Sequence, residues 1–408
     1  MENERRSYVV RRKATDAVIW KKEPLLSALD MELTERCNND CVHCYINLPE
    51  HDLAAKDKEL TAAEIKAVLR EAASLGCISV RFTGGEPLLR EDFEDLYLFA
   101  RKLGLKVMLF TNGMKITPRL AGLFARIPPL EKIEITVYGM RKKSYESVSR
   151  VPGSYKAAWR GIRLLLEKEI PFVVKGVLLP PNKTEIDEFK NWASTIPGMD
   201  KKGPDYVVHF DFRVRRDSER RNRLIQKLRL APDEIIRFLG RNRAEYVEGM
   251  KEFCSKFISA PKSGLFSCGA GVGRVSVDAY GFFHPCLSLK SPLTRYDLKK
   301  GSLKDALTTF IPKVREMTAE SSEYLRCCAR CFLKGFCEQC PARSWMEQGT
   351  LDTPVEYLCR FAHAQAVDLG LLREGEQAWD IEDWKARISA FSTPQGRTHG
   401  EKDKAHSG

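Results

Sequence analysis

Residues 32–45 read ELTERCNNDCVHCY and set Cys37, Cys41 and Cys44 in C-x3-C-x2-C spacing, directly behind an apolar run, Leu25–Leu33, that predicts a strand. For 13 cysteines scattered over 408 positions this spacing would arise about 0.01 times, so it reads as a motif. Three thiolates on one tight loop can each bind one iron of a 4Fe-4S cluster, in which four ligands normally close the site. The missing fourth ligand leaves one iron open. Zinc is the alternative, with His43 completing a tetrahedral set, but His43 lies between two of the cysteines and its side chain would have to fold back.

Outward from this motif, short apolar runs alternate with amphipathic stretches as far as residue 212, the pattern of β/α units. Strands are predicted at Leu25–Leu33, Ile78–Phe82, Lys106–Phe110, Lys132–Val137, Phe172–Leu179 and Tyr206–Phe212. Helices are predicted near 61–75, 91–103, 117–126, 154–168 and 184–195, the first opening on Thr61 as cap with Glu64 at the capping-box position. The fold expected is α/β, a partial TIM-like (β/α)6 barrel followed by a small cysteine-rich iron-sulfur domain, with chemistry in the loops after the strands. The boundaries are a lead-in at 1–26, the barrel at 27–212, a basic helical linker at 213–260, the cysteine-rich domain at 261–362, and a C-terminal helix with a disordered tail at 363–408.

The composition, 43% hydrophobic and 30% charged, is that of a folded chain, and no apolar run is long enough to span a membrane. Residues 1–26 carry charges every few positions and lack the apolar core of a signal peptide, which predicts a cytoplasmic protein with reduced thiols. In that setting 13 cysteines point to metal ligation or catalysis in preference to disulfides. The net charge of +12 favours an anionic partner without naming it. No aromatic-interleaved basic motif or nucleic-acid module is present, so a nucleic-acid partner is not expected.

After the second strand comes RFTGGEPLLR, in which Gly84 and Gly85 let the backbone approach a ligand closely and Glu86-Pro87 fixes the exit. The third strand ends in FTNG, residues 110–113, and the fourth in ITVYG, residues 135–139. Taken with the cysteine triad, these residues resemble the radical S-adenosylmethionine superfamily, whose C-x3-C-x-aromatic-C signature appears here with His43 at the aromatic position. The resemblance implies that the open iron binds S-adenosylmethionine and that electron transfer from the cluster cleaves it to methionine and a 5′-deoxyadenosyl radical. It further implies that Gly84, Gly85, Glu86 and Pro87 hold the cofactor's amino group, that Asn112 and Thr136 lie at ribose-contacting strand ends, and that Arg150 and Lys175 are candidate partners for its carboxylate.

Downstream, Cys268 and Cys286 bracket Gly281 in CGAGVGRVSVDAYGFFHPC, where the Tyr280-Gly281 turn would bring the two thiols together as a hairpin. CARCFLKGFCEQC then sets Cys328, Cys331, Cys337 and Cys340 in C-x2-C-x5-C-x2-C spacing, followed by Cys359. Zinc is again the alternative, but a zinc ribbon separates its pairs by about 15–20 residues, not five. The array resembles the SPASM auxiliary-cluster domain, with a last internal spacing of two residues where the pattern has three. The resemblance implies one auxiliary 4Fe-4S cluster on Cys268, Cys286 and Cys340 and another on Cys328, Cys331, Cys337 and Cys359. The first then lacks a fourth ligand, for which Cys254, Cys327 or an open iron are the possibilities. Cys77, at the start of an apolar strand, reads as a small buried hydrophobe.

This double arrangement implies an oxidoreductase that modifies a peptide or protein by crosslink, thioether or side-chain oxidation, with auxiliary clusters relaying electrons from a donor of flavodoxin or ferredoxin type. Tetrapyrrole side-chain modification in alternative haem or haem d1 routes is the second reading, and a non-enzymatic cluster scaffold the third. The 26 residues before the barrel are too few for a peptide-binding domain, so a peptide would need a separate binding protein or the barrel mouth itself. Arg213, Arg215, Arg216, Arg220, Arg221, Arg223, Lys227 and Arg229 form a basic run opposed only by Asp217 and Glu219, either a solvated helix face or a site for an acidic peptide or polycarboxylate.

Overall fold

The computed structural model describes residues 26–199, 204, 206–258, 261 and 263–392; the lead-in up to residue 25 and the tail expected at 395–408 lie outside the described residues. Six parallel strands are present: β1 Ala28–Thr34, β2 Ser79–Gly84, β3 Lys106–Thr111, β4 Leu130–Val137, β5 Phe172–Val177 and β6 Tyr206–Val207. They alternate with α1 Ala62–Ser74, α2 Phe93–Lys102, α3 Pro118–Arg126, α4 Lys142–Ser149, α5 Ser154–Glu167 and α6 Ile186–Ala193, and α7 Glu219–Leu228 follows β6. This is the partial barrel that the periodicity predicts. The sixth strand is shorter than the predicted Tyr206–Phe212, and α4 was not anticipated, since its KKSYESVS sequence carries too few apolar residues for a clear helical stripe.

The sheet continues on the other side of β1. Arg274–Val277 (β7) pairs with β1 in parallel, Ala28 opposite Arg274 and Met31 opposite Val277, and Phe282–His284 (β8) and Tyr296–Asp297 (β9) follow antiparallel. The order is β9-β8-β7-β1-β2-β3-β4-β5-β6. Gly281, at φ 91°, makes the hairpin turn between β7 and β8 that the Tyr280-Gly281 pair suggests.

Because β1 is flanked by parallel strands on both sides and buried throughout, its two faces divide the work. Leu29, Met31 and Leu33 join the helix-covered core, whereas Asp30 and Glu32 point to the lumen and must be paired there. Asp30 meets Arg81 at 3.4 Å and Arg274 at 2.9 Å, and Glu32 meets Lys290 at 2.5 Å. Lys175 on β5 answers Glu134 on β4 at 2.6 Å.

The domain boundaries differ from those expected. One compact unit comprises the chain up to Leu230 together with Gly264–Glu320 and Cys340–Val355; the other comprises Ala231–Ser263, Ser321–Gln339 and the chain from Glu356. The reason is the pairing of β7 with β1, which builds the first half of the cysteine-rich region into the barrel sheet, a long-range contact that leaves no local periodicity. The second unit has its own apolar core, including Phe332, Leu333, Phe336, Ala362, Ala366 and Leu372, with Trp384 stacked on Phe332. Among the described residues no helix is long and apolar enough to cross a membrane.

At the start of α1 the capping box forms as expected: the Glu64 N–H donates to Thr61 Oγ1 and the Thr61 N–H donates to Glu64 Oε2. Thr61→Ala should cost about 1 kcal/mol of unfolding free energy, read as a lower urea midpoint at unchanged m. An unchanged midpoint would show that tertiary packing alone holds this helix.

Candidate active site

The cysteine loop is closed at its base. Arg36–Cys37 pairs with Leu48–Pro49 as a short parallel ladder, and the Leu48 N–H donates to the Glu35 carbonyl at 2.7 Å. Inside the loop the amides of Asn39 and Asn47 donate to the sulfurs of Cys37 and Cys44, each at 3.4 Å. Amides from Asp40 and Val42 donate to the carbonyls of Ser149 and Val148, which anchors the loop on the end of α4.

Burial pushes the Cys41 thiol up to about 12, and burial with the neighbouring Cys41 and Glu86 charges raises Cys37 too. Such thiols stay protonated until a metal displaces the proton, which is how a cluster ligand behaves. The donor set fits iron: three soft sulfurs on one loop, two of them already receiving the amide hydrogen bonds that tune cluster thiolates. A tetrahedral zinc site would need His43 as its fourth donor. His43 instead fills an aromatic slot, its ring 5.2 Å from Phe210 and 5.8 Å from Tyr138, and burial lowers its pKa to about 4 so that it is neutral.

Above the loop lies a cavity of about 220 Å³. Of the residues singled out from sequence, Cys37, Cys41, Cys44, Gly84, Gly85, Asn112, Thr136 and Lys175 all line it. Glu86, Pro87 and Arg150 are not among its lining residues. Glu86 is buried behind the wall and accepts hydrogen bonds from the Asn112 amide at 2.8 Å, the Thr111 hydroxyl at 2.8 Å and the Leu88 amide at 3.1 Å, which ties the second strand end to the third. Burial still raises its carboxyl to about 7. Arg150, a left-handed cap at the end of α4, donates to the Asp40 carbonyl at 2.8 Å and pairs with the Asp40 side chain, so its visible contact is with the cysteine loop.

The two glycines are required by the protein itself as well as by any ligand. A Cβ on Gly84 would overlap the Thr34 carbonyl and one on Gly85 the Arg36 carbonyl, while the amides of Gly85 and Glu86 donate to those same two oxygens at 2.7 and 2.9 Å. Asn112 Nδ2 donates to Asn38 Oδ1 at 2.8 Å, joining the third strand end to the loop. Lys175 and Arg81 both lie over the Phe110 ring, at 4.3 and 4.6 Å, making a rigid cationic support beside the cavity. Tyr138, Phe110, His209, Phe210 and Asp211 also line the cavity and were not anticipated; Phe110 and Tyr138 stand at or just beyond predicted strand ends, a signal that could have found them, whereas His209, Phe210 and Asp211 fall inside the predicted Tyr206–Phe212 and follow the strand only because β6 ends at Val207.

The remaining cysteines form two groups. In the barrel unit, burial and the charges of Cys340 and Cys268 push the Cys286 thiol up to about 11, and the Gly271 amide donates to the Pro285 carbonyl at 2.8 Å, drawing the two arms of the hairpin together. Cys340 stands at the N-terminus of the helix Pro341–Gln348. In the second unit, burial pushes Cys328 and Cys331 up to about 12, with Cys359 and Cys327 contributing to both, and Cys337 is raised by burial, Cys359 and Cys331. Cys327 therefore stands with the second group, whereas Cys254 is raised to about 11 by burial alone, in the apolar core of that unit. All 13 cysteines are free thiols, and Cys77 is fully buried, as its apolar setting suggests.

Residues 31–193 match the radical SAM superfamily. The chain carries a radical SAM domain over these residues. It is an enzyme whose cofactors are S-adenosylmethionine and 4Fe-4S clusters, which sets aside the reading as a non-enzymatic scaffold. Over 341 residues, 78% of this chain and 92% of the relative, it is 24% identical to the AdoMet-dependent heme synthase of Methanosarcina barkeri. Over 158 residues, 38% of this chain and 43% of the relative, it is 32% identical to the PqqA peptide cyclase of Gluconobacter oxydans. The fold is shared with native anSMEcpe with bound AdoMet and the Kp18Cys peptide, at TM-score 0.54 and 16% identity over 89% of this chain and 99% of that one.

Gly85→Ala should disrupt the junction of the first two strand ends and with it the seating of the cysteine loop. Anaerobic reconstitution is expected to give about a third less iron than the unsubstituted chain, with the far-ultraviolet circular dichroism retained. Full iron content in this variant would show that the close approach at Arg36 is dispensable.

Proposed function

We propose that this enzyme oxidatively modifies a peptide or protein, with Cys37, Cys41 and Cys44 holding the catalytic cluster. The observation that carries the reading is the convergence of the cysteine triad, the Gly84-Gly85 turn and the ends of strands β3, β4 and β5 on one cavity. When bound, the reduced cluster and S-adenosylmethionine supply a 5′-deoxyadenosyl radical able to remove a hydrogen atom from the substrate.

The chain's own part is placement and exclusion of water. The backbone at Gly84-Gly85 offers polar groups to the cofactor's methionine end, Asn112 and Thr136 to its ribose, and Lys175 a cation to its carboxylate. Phe110, Tyr138, His43 and Phe210 surround that position with ring surface, and His43 stays uncharged there at neutral pH. The cysteine array from Cys268 to Cys359 acts as a SPASM-type domain. Cys268, Cys286 and Cys340 hold one auxiliary cluster, and Cys328, Cys331, Cys337 and Cys359 hold the other, each set lying wholly within one compact unit. Clusters held there would supply a route for electrons to or from a flavodoxin- or ferredoxin-type partner.

Peptide substrates are supported by the fold shared with peptide-bound anSMEcpe and by the stretch similar to PqqA peptide cyclase. Tetrapyrrole side-chain chemistry is the second reading, favoured by the near full-length similarity to the heme synthase.

Anaerobically reconstituted protein should carry about 12 iron and 12 sulfide per chain. Changing Cys37, Cys41 and Cys44 together to Ala should remove about a third of that iron and abolish cleavage of S-adenosylmethionine. Retained cleavage would assign the reaction to another cluster. Co-expression with a short peptide encoded beside the gene should yield a product lighter by two hydrogens per modification. Conversion of a propionate-bearing tetrapyrrole, with no change to peptides, would replace the first reading by the second.

Cys328→Ala, Cys331→Ala or Cys337→Ala should block product formation while leaving cleavage of S-adenosylmethionine per remaining catalytic cluster. Normal product formation by a folded variant lacking that auxiliary cluster would make these cysteines structural staples.

A further inference from the structure

The basic run after β6 has a use that its sequence does not reveal. Five of its arginines donate to backbone carbonyls, and three of them to the cysteine loop. Arg213 Nη1 donates to the Cys44 carbonyl at 3.1 Å and Nη2 to the Asn47 carbonyl at 2.9 Å. Arg215 donates to the Ile46 carbonyl, and Arg221 Nη2 to the Cys41 carbonyl at 3.0 Å while its Nη1 meets Asp40 at 2.6 Å. The Val214 amide adds a bond to the Tyr45 carbonyl at 3.1 Å. The clamp is itself anchored: Arg216 donates to the carbonyls of Trp345 and Met346 at 2.8 and 2.9 Å, and Arg229 pairs with Glu347 at 2.5 Å, both on the helix that begins beside Cys340.

We propose that residues 213–221 form a guanidinium clamp on the catalytic cysteine loop, with Arg213, Arg215 and Arg221 as positioning residues that fix the ligand residues Cys41 and Cys44 and make their cluster easier to reduce. This rests on the reading of Cys37, Cys41 and Cys44 as cluster ligands. Two physical reasons support it. A loop that turns its amides inward toward the sulfurs turns several carbonyls outward, and these need donors; a planar guanidinium supplies several in fixed geometry, which an ammonium does not. A cluster gains negative charge on reduction, so a cation beside its ligand residues favours the reduced form; Arg213 and Arg215 are offset by Asp217 and Glu35, whereas the partner of Arg221, Asp40, is half exposed and offsets it less. The same arrangement separates the basic run into two classes. Arg220 and Arg223, on the outer side of α7, are exposed, whereas Arg213 is buried.

The test is an anaerobic redox titration of the reconstituted full chain followed by electron paramagnetic resonance, with the triad's cluster recognised by the change that S-adenosylmethionine causes in its signal. Arg221→Gln is expected to lower the reduced-to-oxidised ratio of that cluster about tenfold at fixed potential, equivalent to about 59 mV for a one-electron couple. Arg221→Lys keeps the charge and should restore most of the ratio. Arg213→Lys, which loses the fork on Cys44 and Asn47, should lose triad iron severalfold faster to a chelator. Arg220→Gln and Arg223→Gln should match the unsubstituted chain in both measurements. The proposal is overturned if Arg221→Gln and Arg213→Lys keep normal reducibility and iron retention. Should Arg221→Gln fail to fold by circular dichroism, normal iron retention in Arg213→Lys overturns it equally. Absence of any signal responsive to S-adenosylmethionine in the unsubstituted chain would instead count against the cluster assignment itself.

Discussion

The amides of Gly85 and Glu86 reach the carbonyls of Thr34 and Arg36 so closely that no side chain fits between the ends of the first two strands. The rest of the site is located from that junction. It sets where the chain leaves β1 and so where Cys37 begins the loop, and it directs Glu86 inward to accept from Thr111 and Asn112. Asn112 in turn holds Asn38, so three consecutive strand ends and the cysteine loop form one hydrogen-bonded unit. Such a frame holds its geometry before any cofactor arrives, which is what a site that must position a reactive fragment needs.

The frame is polar on its inner side, and that imposes pairing. Asp30, Glu32 and Glu134 each sit on a lumen position of a strand and each has a cation, in Arg81 and Arg274, Lys290 and Lys175 respectively. Burial raises Glu32 to about 7 even against the attraction of Lys290. Lys290 follows Cys286 by four residues, so the ion pair with Glu32 also fixes the chain just beyond an auxiliary cysteine onto β1. Removing one partner would leave a buried charge uncompensated.

The elements of the barrel were legible because each is a local pattern. β1, β3 and α1 follow from apolar alternation and from a cap that sits where Thr61 and Glu64 predict it. The cavity was legible for the same reason: its ligand residues are fixed to strand ends, and Cys37, Gly84, Asn112, Thr136 and Lys175 all reach it. What sequence could not reveal is pairing at a distance. β7 joins β1 across 246 positions, as the hydrogen bond from Ser27 to Gly273 shows, and this moved part of the cysteine-rich region into the barrel unit. The arginines of 213–221 read as a solvated face or an anion site because their acceptors are carbonyls up to 180 positions away, which leave no mark in composition. His43 could be recognised as standing in an aromatic position, but its neutrality comes from burial and from the charges of Arg221 and Lys175, which only the fold brings to it.

The central claim is that the loop of Cys37, Cys41 and Cys44 presents one open iron position to a cofactor held in the cavity above it. The direct measurement is the hyperfine coupling between the reduced cluster and S-adenosylmethionine labelled with nitrogen-15 at its amino group, recorded on the anaerobically reconstituted chain. The account predicts a strong nitrogen coupling that disappears when the three cysteines are changed to Ala. A coupling that survives in that variant, or a fully reconstituted protein that shows none, would contradict it.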